Sequence, residues 1–168
     1  TMTEIKWYFD FISPFAYLQM AQFSDLPSEI KIKPVPIVFG GLLANWGQLG
    51  PAEIPPKRQF VYRLFQWKAD KLGIPFKMPS SHPYNPLPSL RLCIAAGSKM
   101  SHVRIIYDLI YGEGIQPDSL EGIDVMGQRL GIEKYKNFLN SLEIFNKISF
   151  DLKEIGTPLN FKWGKCKL

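Results

Sequence analysis

Residues 5–38 read IKWYFDFISPFAYLQMAQFSDLPSEIKIKPVPIV, and this stretch decides the fold. Ile5 to Ile12 is aromatic and β-branched, which predicts a buried strand. Ser13-Pro14 then supplies a hydroxyl cap followed by proline at the first helical position. Phe15, Leu18 and Ala21, with Tyr17 and Phe23 beside them, give a helix with one apolar face running to Leu26. Ile30 to Val38 alternates in part and carries Pro34 and Pro36, so it reads as a second strand near an edge. The chain therefore begins β-α-β.

From Gly40 to Phe145 the pattern becomes helical, punctuated by glycine and proline. Pro55-Pro56 opens a helix whose apolar face uses Phe60, Val61, Leu64, Phe65 and Leu72, and Gly73 closes it. Asn85-Pro86 opens another that ends at Gly97, and His102–Tyr111, Ser119–Leu130 and Glu133–Phe145 read as three more. The division that follows places residues 1–39 and 147–168 in one α/β unit and residues 40–146 in an inserted helical unit. In the tail, Thr157-Pro158 reads as a turn or a cis peptide and Leu159 to Trp163 as a strand.

Composition narrows the classes. The 168 residues are 46% hydrophobic and 21% charged, the balance of a globular chain with a core. No apolar run has the length of a membrane span, and TMTEIKWYFDF has no signal-peptide pattern, so a cytoplasmic protein is expected. The net charge of +5 is spread along the chain rather than gathered on one helix, which suits a small anionic ligand better than nucleic acid. Cys93 and Cys166 form neither a CxxC pair nor a zinc pattern, and Cys93 in LRLCIAAG reads as a buried, inert thiol.

Ser13 is the sharpest candidate for chemistry. A hydroxyl at the start of a helix can stabilise a thiolate brought to it, and it can equally serve as a cap alone. Asp10 reads as a strand-end charge. Lys57 and Arg58 stand in the first turn of a helix, where the macrodipole disfavours cations. An anionic partner would explain them, as would a solvated helix end. Asn85 is an N-cap by position, and Arg91 can meet a substrate carboxylate or a neighbouring acid. Trp46, Trp67 and Trp163 line an aromatic pocket or pack in the core. His82 and His102 lack metal-ligand spacing with any thiol or carboxylate, and no metal is expected.

Four segments in order, WYFDFISPFAYL (7–18), GGLLANWGQLGPAEIPPKRQF (40–60), LGIPFKMP (72–79) and HPYNPLPSLRLCIAAG (82–97), resemble the 2-hydroxychromene-2-carboxylate isomerase family. Its relatives are the kappa-class glutathione transferases and DsbA. The resemblance implies a thioredoxin-like fold of the α/β class with a large all-helical insertion after the second strand. It implies glutathione as cofactor, a small aromatic carboxylate as substrate and a homodimer. Ser13 would replace the redox cysteine and hold the glutathione sulfur as thiolate, while Lys57, Thr157 and Pro158 would approach the rest of the tripeptide. Asn85, Arg91 and Trp46 would face the substrate. The implied reaction is a cis-trans isomerisation by thiolate addition, bond rotation and elimination. The tail departs from the family pattern: IGTP, a short Leu159–Lys162 segment and KCKL stand where relatives carry a hairpin, an acid for the glutathione amine and a final helix. Cys166-Lys167-Leu168 also resembles, in form, a C-terminal S-K-L address. The competing readings are a kappa-like transferase or peroxidase and a non-catalytic binding protein on the same scaffold. Ser-Pro-Phe-Ala at 13–16 holds no thiol, which argues against a disulfide oxidoreductase.

Overall fold

The computed structural model describes residues 2–139 together with Ile144 and Lys147. Thr157, Pro158 and Trp163, the expected final strand and Cys166 lie outside the described residues.

Strand β1 (Thr3–Phe9) pairs in parallel with β2 (Ile30–Pro36), in register from Thr3 opposite Ile30 to Phe9 opposite Pro36. Parallel strands need a crossover, and helix α1 (Pro14–Met20) with a 3-10 turn at Phe23–Asp25 supplies it. Ile37 N–H donates to Phe9 O at 2.8 Å, so the odd-numbered amides at this end of β2 face β1. Pro34 and Pro36 consequently turn their missing donors away from the ladder, as an edge position requires.

β1 is shorter than the sequence predicts, ending at Phe9 rather than Ile12. Asp10 stops it. Its carboxylate accepts Ile12 N–H at 3.1 Å and Phe39 N–H at 2.8 Å, while its carbonyl accepts Ser13 N–H at 3.0 Å. These bonds turn the chain out of the strand and into α1. Helix α1 also ends early, at Met20, and the rest of the expected helix is the 3-10 turn.

After β2 the described chain is helical: α2 (Phe39–Asn45), α3 (Pro55–Leu72), α4 (Leu87–Ala95), α5 (Met100–Tyr107) and α6 (Leu120–Arg129). Helix α3 begins at Pro55 and stops where Gly73 takes φ 65°, both as predicted. Its buried face is Val61, Phe65 and Ala69, whereas Phe60 is 66% exposed and Leu72 lies at the surface. Within the expected helix Glu133–Phe145, Tyr135–Phe138 form a 3-10 turn and Ile144 is helical.

The core sits between the sheet and α4–α5. Along β1 and its exit Trp7 stacks on Phe9 and Phe9 meets Phe11 edge to face, and Tyr107 of α5 packs on Phe11 with ring centroids 4.8 Å apart. Leu87 to Cys93 are all buried, the mark of a helix surrounded on every side. Burial pushes the Cys93 thiol up to about 12, so it is inert as the sequence predicts. No helix among the described residues is long and apolar enough to cross a membrane.

Candidate functional site

Ser13 sits at the exit of β1, half-buried, with the extended backbone of an N-cap (φ −97°, ψ 107°). Its Oγ accepts Ala16 N–H at 3.3 Å, which uses the hydroxyl as a cap acceptor, and its own proton has no acceptor among the described residues. Pro14 has no N–H, and Phe15 N–H has no partner among the described residues. Two donors, Ser13 O–H and Phe15 N–H, are therefore offered side by side.

They open onto two cavities that share Ser13, Phe15 and Phe39. The smaller, about 330 Å³, runs toward α2 and α3 and is walled by Ile12, Phe15, Phe39, Leu43, Val61 and Phe65, with Glu53 and His82 as its polar members. The larger, about 590 Å³, runs along β1 and is lined by Trp7, Asp10 and Gln19 together with Lys68 and Lys71 of α3. Ser13 stands at the junction of an apolar compartment and a cationic one.

The backbone that presents Ser13 is fixed from the helical side. Tyr107 O–H donates to Asp10 O at 2.8 Å, Tyr84 and Tyr111 O–H both donate to Phe11 O at 2.5 and 2.9 Å, and His82 Nε2 lies 2.8 Å from Ile12 O. Three successive carbonyls are thus held by aromatic side chains brought from residues 82–111. The segment bearing His82 is itself secured, because Gln116 Oε1 accepts Ser80 Oγ and Ser81 N, and Asp118 accepts Asn85 N.

Asp10 is fully buried beside this turn. Burial pushes its carboxyl from the ordinary 3.8 up to about 7, against the two backbone N–H donors that favour the ionised form. The native protein then holds this proton more tightly than the unfolded chain does. The stability tied to Asp10 is full below about pH 4 and is lost as pH rises toward 7, by up to about 4 kcal/mol. Urea unfolding from pH 4 to 8 is expected to show that decline in the native sequence and to lose it in Asp10→Asn. Parallel curves for the two proteins would refute the assignment.

Of the described residues that the sequence singles out for the site, Ser13 lines both cavities, and Lys57, Asn85, Arg91 and Trp46 line neither. Lys57 is exposed in the first turn of α3. Its neighbour Arg58, also exposed, has Nε 2.5 Å from Ala52 O. Asn85 makes a local turn by accepting Leu87 N–H at 3.1 Å, so Pro86 rather than Asn85 occupies the cap of α4. Arg91 is buried and meets no acid among the described residues, with Nη1 2.5 Å from Leu139 O. Trp46 follows α2 and is 66% exposed. Thr157 and Pro158 are outside the described residues. The sequence reading missed Asp10, which it took for a strand-end charge, and His82, which it set aside because it lacks metal-ligand spacing. Among the described residues no three His, Cys, Asp or Glu side chains group to hold a metal.

The donor set fits glutathione. A thiolate needs hydrogen-bond donors, which Ser13 and Phe15 provide, and the carboxylates of the tripeptide need cations, which Lys68 and Lys71 place on the same cavity.

Comparison with known proteins gives concordant results. The DSBA-like thioredoxin domain family matches residues 4–155. The chain is 30% identical to the 2-hydroxychromene-2-carboxylate isomerase of Pseudomonas putida, over 98% of this chain and 90% of that one. It is also 30% identical to glutathione s-transferase kappa 2 of Caenorhabditis elegans, over 46% of this chain and 36% of that protein. A solved 2-hydroxychromene-2-carboxylate isomerase superposes with a TM-score of 0.76 at 22% identity, covering 90% of this chain and 78% of the other, which is a likeness of fold.

Proposed function

This chain belongs to the 2-hydroxychromene-2-carboxylate isomerase family within the DSBA-like thioredoxin domains, and on that footing we propose that it is a glutathione-dependent isomerase of a small aromatic carboxylate. The observation that carries the reading is Ser13, whose hydroxyl proton has no acceptor among the described residues and stands at the junction of an apolar and a cationic cavity.

Glutathione, when bound, supplies a nucleophilic thiol able to add reversibly to a conjugated carbon. Everything else falls to the protein. Ser13 Oγ–H and Phe15 N–H donate toward the sulfur position and favour its ionised form. Because Ala16 N–H already donates to Ser13 Oγ, the hydroxyl is fixed in place and needs no reorganisation to act as a donor. Phe15, Phe39, Val61 and Phe65 exclude water and leave room for a planar, apolar body. Lys68 and Lys71, which line the larger cavity, would hold the ionic parts of the tripeptide. Lys57, Thr157 and Pro158 complete the proposed glutathione contacts by family resemblance.

Titration calorimetry of the protein with glutathione is expected to show saturable binding, and hydroxychromene acids are expected to isomerise only in its presence. A folded protein that binds no glutathione would overturn the proposal. Conjugation of chlorinated aromatic acceptors without isomerisation would reassign the chain to kappa-like transferase chemistry.

A further inference from the structure

We infer that His82 is a positioning residue for Ser13, holding the Ile12–Ser13 peptide in the orientation that aims the hydroxyl at the two cavities. The functional weight of the inference rests on the reading of Ser13 above; its geometry does not.

His82 Nε2 lies 2.8 Å from Ile12 O, and a carbonyl oxygen can only accept, so Nε2 carries the proton. In the neutral ring Nδ1 is then a lone pair. Tyr62 O–H from α3 lies 2.8 Å from that nitrogen and also 2.8 Å from His82 O, so the hydroxyl proton has an acceptor on the same residue either way. Ile12 O thus fixes the tautomer, and Tyr62 braces the ring at its other nitrogen. The cause is supported from the surroundings: burial favours the neutral imidazole and Arg58 of α3 adds to this, outweighing the bond to Ile12 O.

The Ile12–Ser13 peptide is pinned at both poles. His82 holds its C=O, and its N–H donates to Asp10 O at 3.0 Å. Rotating that plane changes φ at Ser13, and with it the direction of the Cβ–Oγ bond. The tyrosines that hold Asp10 O and Phe11 O act from inside the core and line neither cavity. His82 differs because it also lines the apolar cavity. A body filling that cavity touches the group that sets Ser13, which a purely structural bond in the core would not allow.

The test begins with the ligand-free protein. Amide hydrogen exchange at Ser13, read by NMR, is expected to quicken about tenfold in His82→Leu. His82→Gln, which keeps a side-chain N–H donor, is expected to restore the slow rate. Tyr62→Phe, which frees the ring without removing it, is expected to fall between the two. If His82→Leu does not fold, the Gln and Phe variants carry the comparison. With glutathione bound, the thiolate absorbance is expected to titrate about one pH unit higher in Tyr62→Phe or His82→Leu than in the native protein. An unchanged Ser13 amide in every variant that folds overturns the positioning role, whatever glutathione does. A released Ser13 amide in a protein whose native form shows no glutathione thiolate sustains the positioning and overturns the glutathione reading.

Discussion

Ser13→Ala is expected to lower isomerase turnover about a hundredfold, the usual loss when one donor to a developing or stabilised anion is removed. The midpoint of thiolate formation on bound glutathione is expected to rise toward the value of a free thiol, about 8.5. The same substitution removes the cap on Ala16 N–H, which by itself costs about 1 kcal/mol of stability. A second variant separates the two roles. Ser13→Asp keeps an N-cap acceptor while placing an anion where the sulfur would lie, so it is expected to melt near the native temperature and to be as inactive as the alanine form. Turnover within twofold of native in Ser13→Ala would reduce Ser13 to a cap. Activity that follows melting temperature across the two variants would do the same.

Gly122→Ala is expected to destabilise the fold by about 3 kcal/mol or more, because nothing near it can move cheaply. A Cβ at residue 122 would stand 1.9 Å from the backbone oxygen of Gln116 and 3.1 Å from Ser119 Oγ. Both atoms already have work. Ser119 Oγ donates to Gln116 O at 2.8 Å and accepts Gly122 N–H at 3.0 Å, which is how α6 is capped. Pushing the 116–119 turn outward also moves the Gln116 side chain that holds Ser80 and Ser81, two and one residues before His82. Thermal melting should therefore fall sharply, and the Ser13 amide should exchange faster even below the transition. A melting temperature within a few degrees of native would show that the turn yields more easily than its packing indicates. Gly122 illustrates a limit of sequence reading. It lies inside a predicted helix, where glycine usually signals weakness, and only the close approach of the turn explains its presence.

Much of the scaffold is legible in the sequence because it depends on local chemistry. Ser13-Pro14 starts α1 and Pro55 starts α3, since hydroxyl caps and N-terminal prolines act on their own first turn. Gly73 ends α3 because a left-handed residue is required there. The two strands and their parallel pairing follow from an apolar run, a helix and a second run with prolines on its outer edge. Ser13 is legible for the same reason: strand end, hydroxyl and proline are consecutive.

What the tertiary structure decided is every feature that joins distant parts of the chain. Asp10 reads as a strand-end charge until Phe39, 29 residues away, closes over it and its carboxyl is cut off from water. His82 is an isolated histidine in sequence, and becomes part of the site because its ring meets Ile12 across 70 residues. Arg91, a candidate for a substrate carboxylate, is taken instead by the carbonyl of Leu139. Phe60, expected on the apolar face of α3, points to solvent because α1 packs, through Phe15 on Phe65, against the stripe that also carries Val61 and Ala69. Caps and turns are set by neighbours within a few residues, so sequence alone determined them. Burial and long-range hydrogen bonds depend on which surfaces meet, and that is set only when the helices close on the strand exit that carries Ser13.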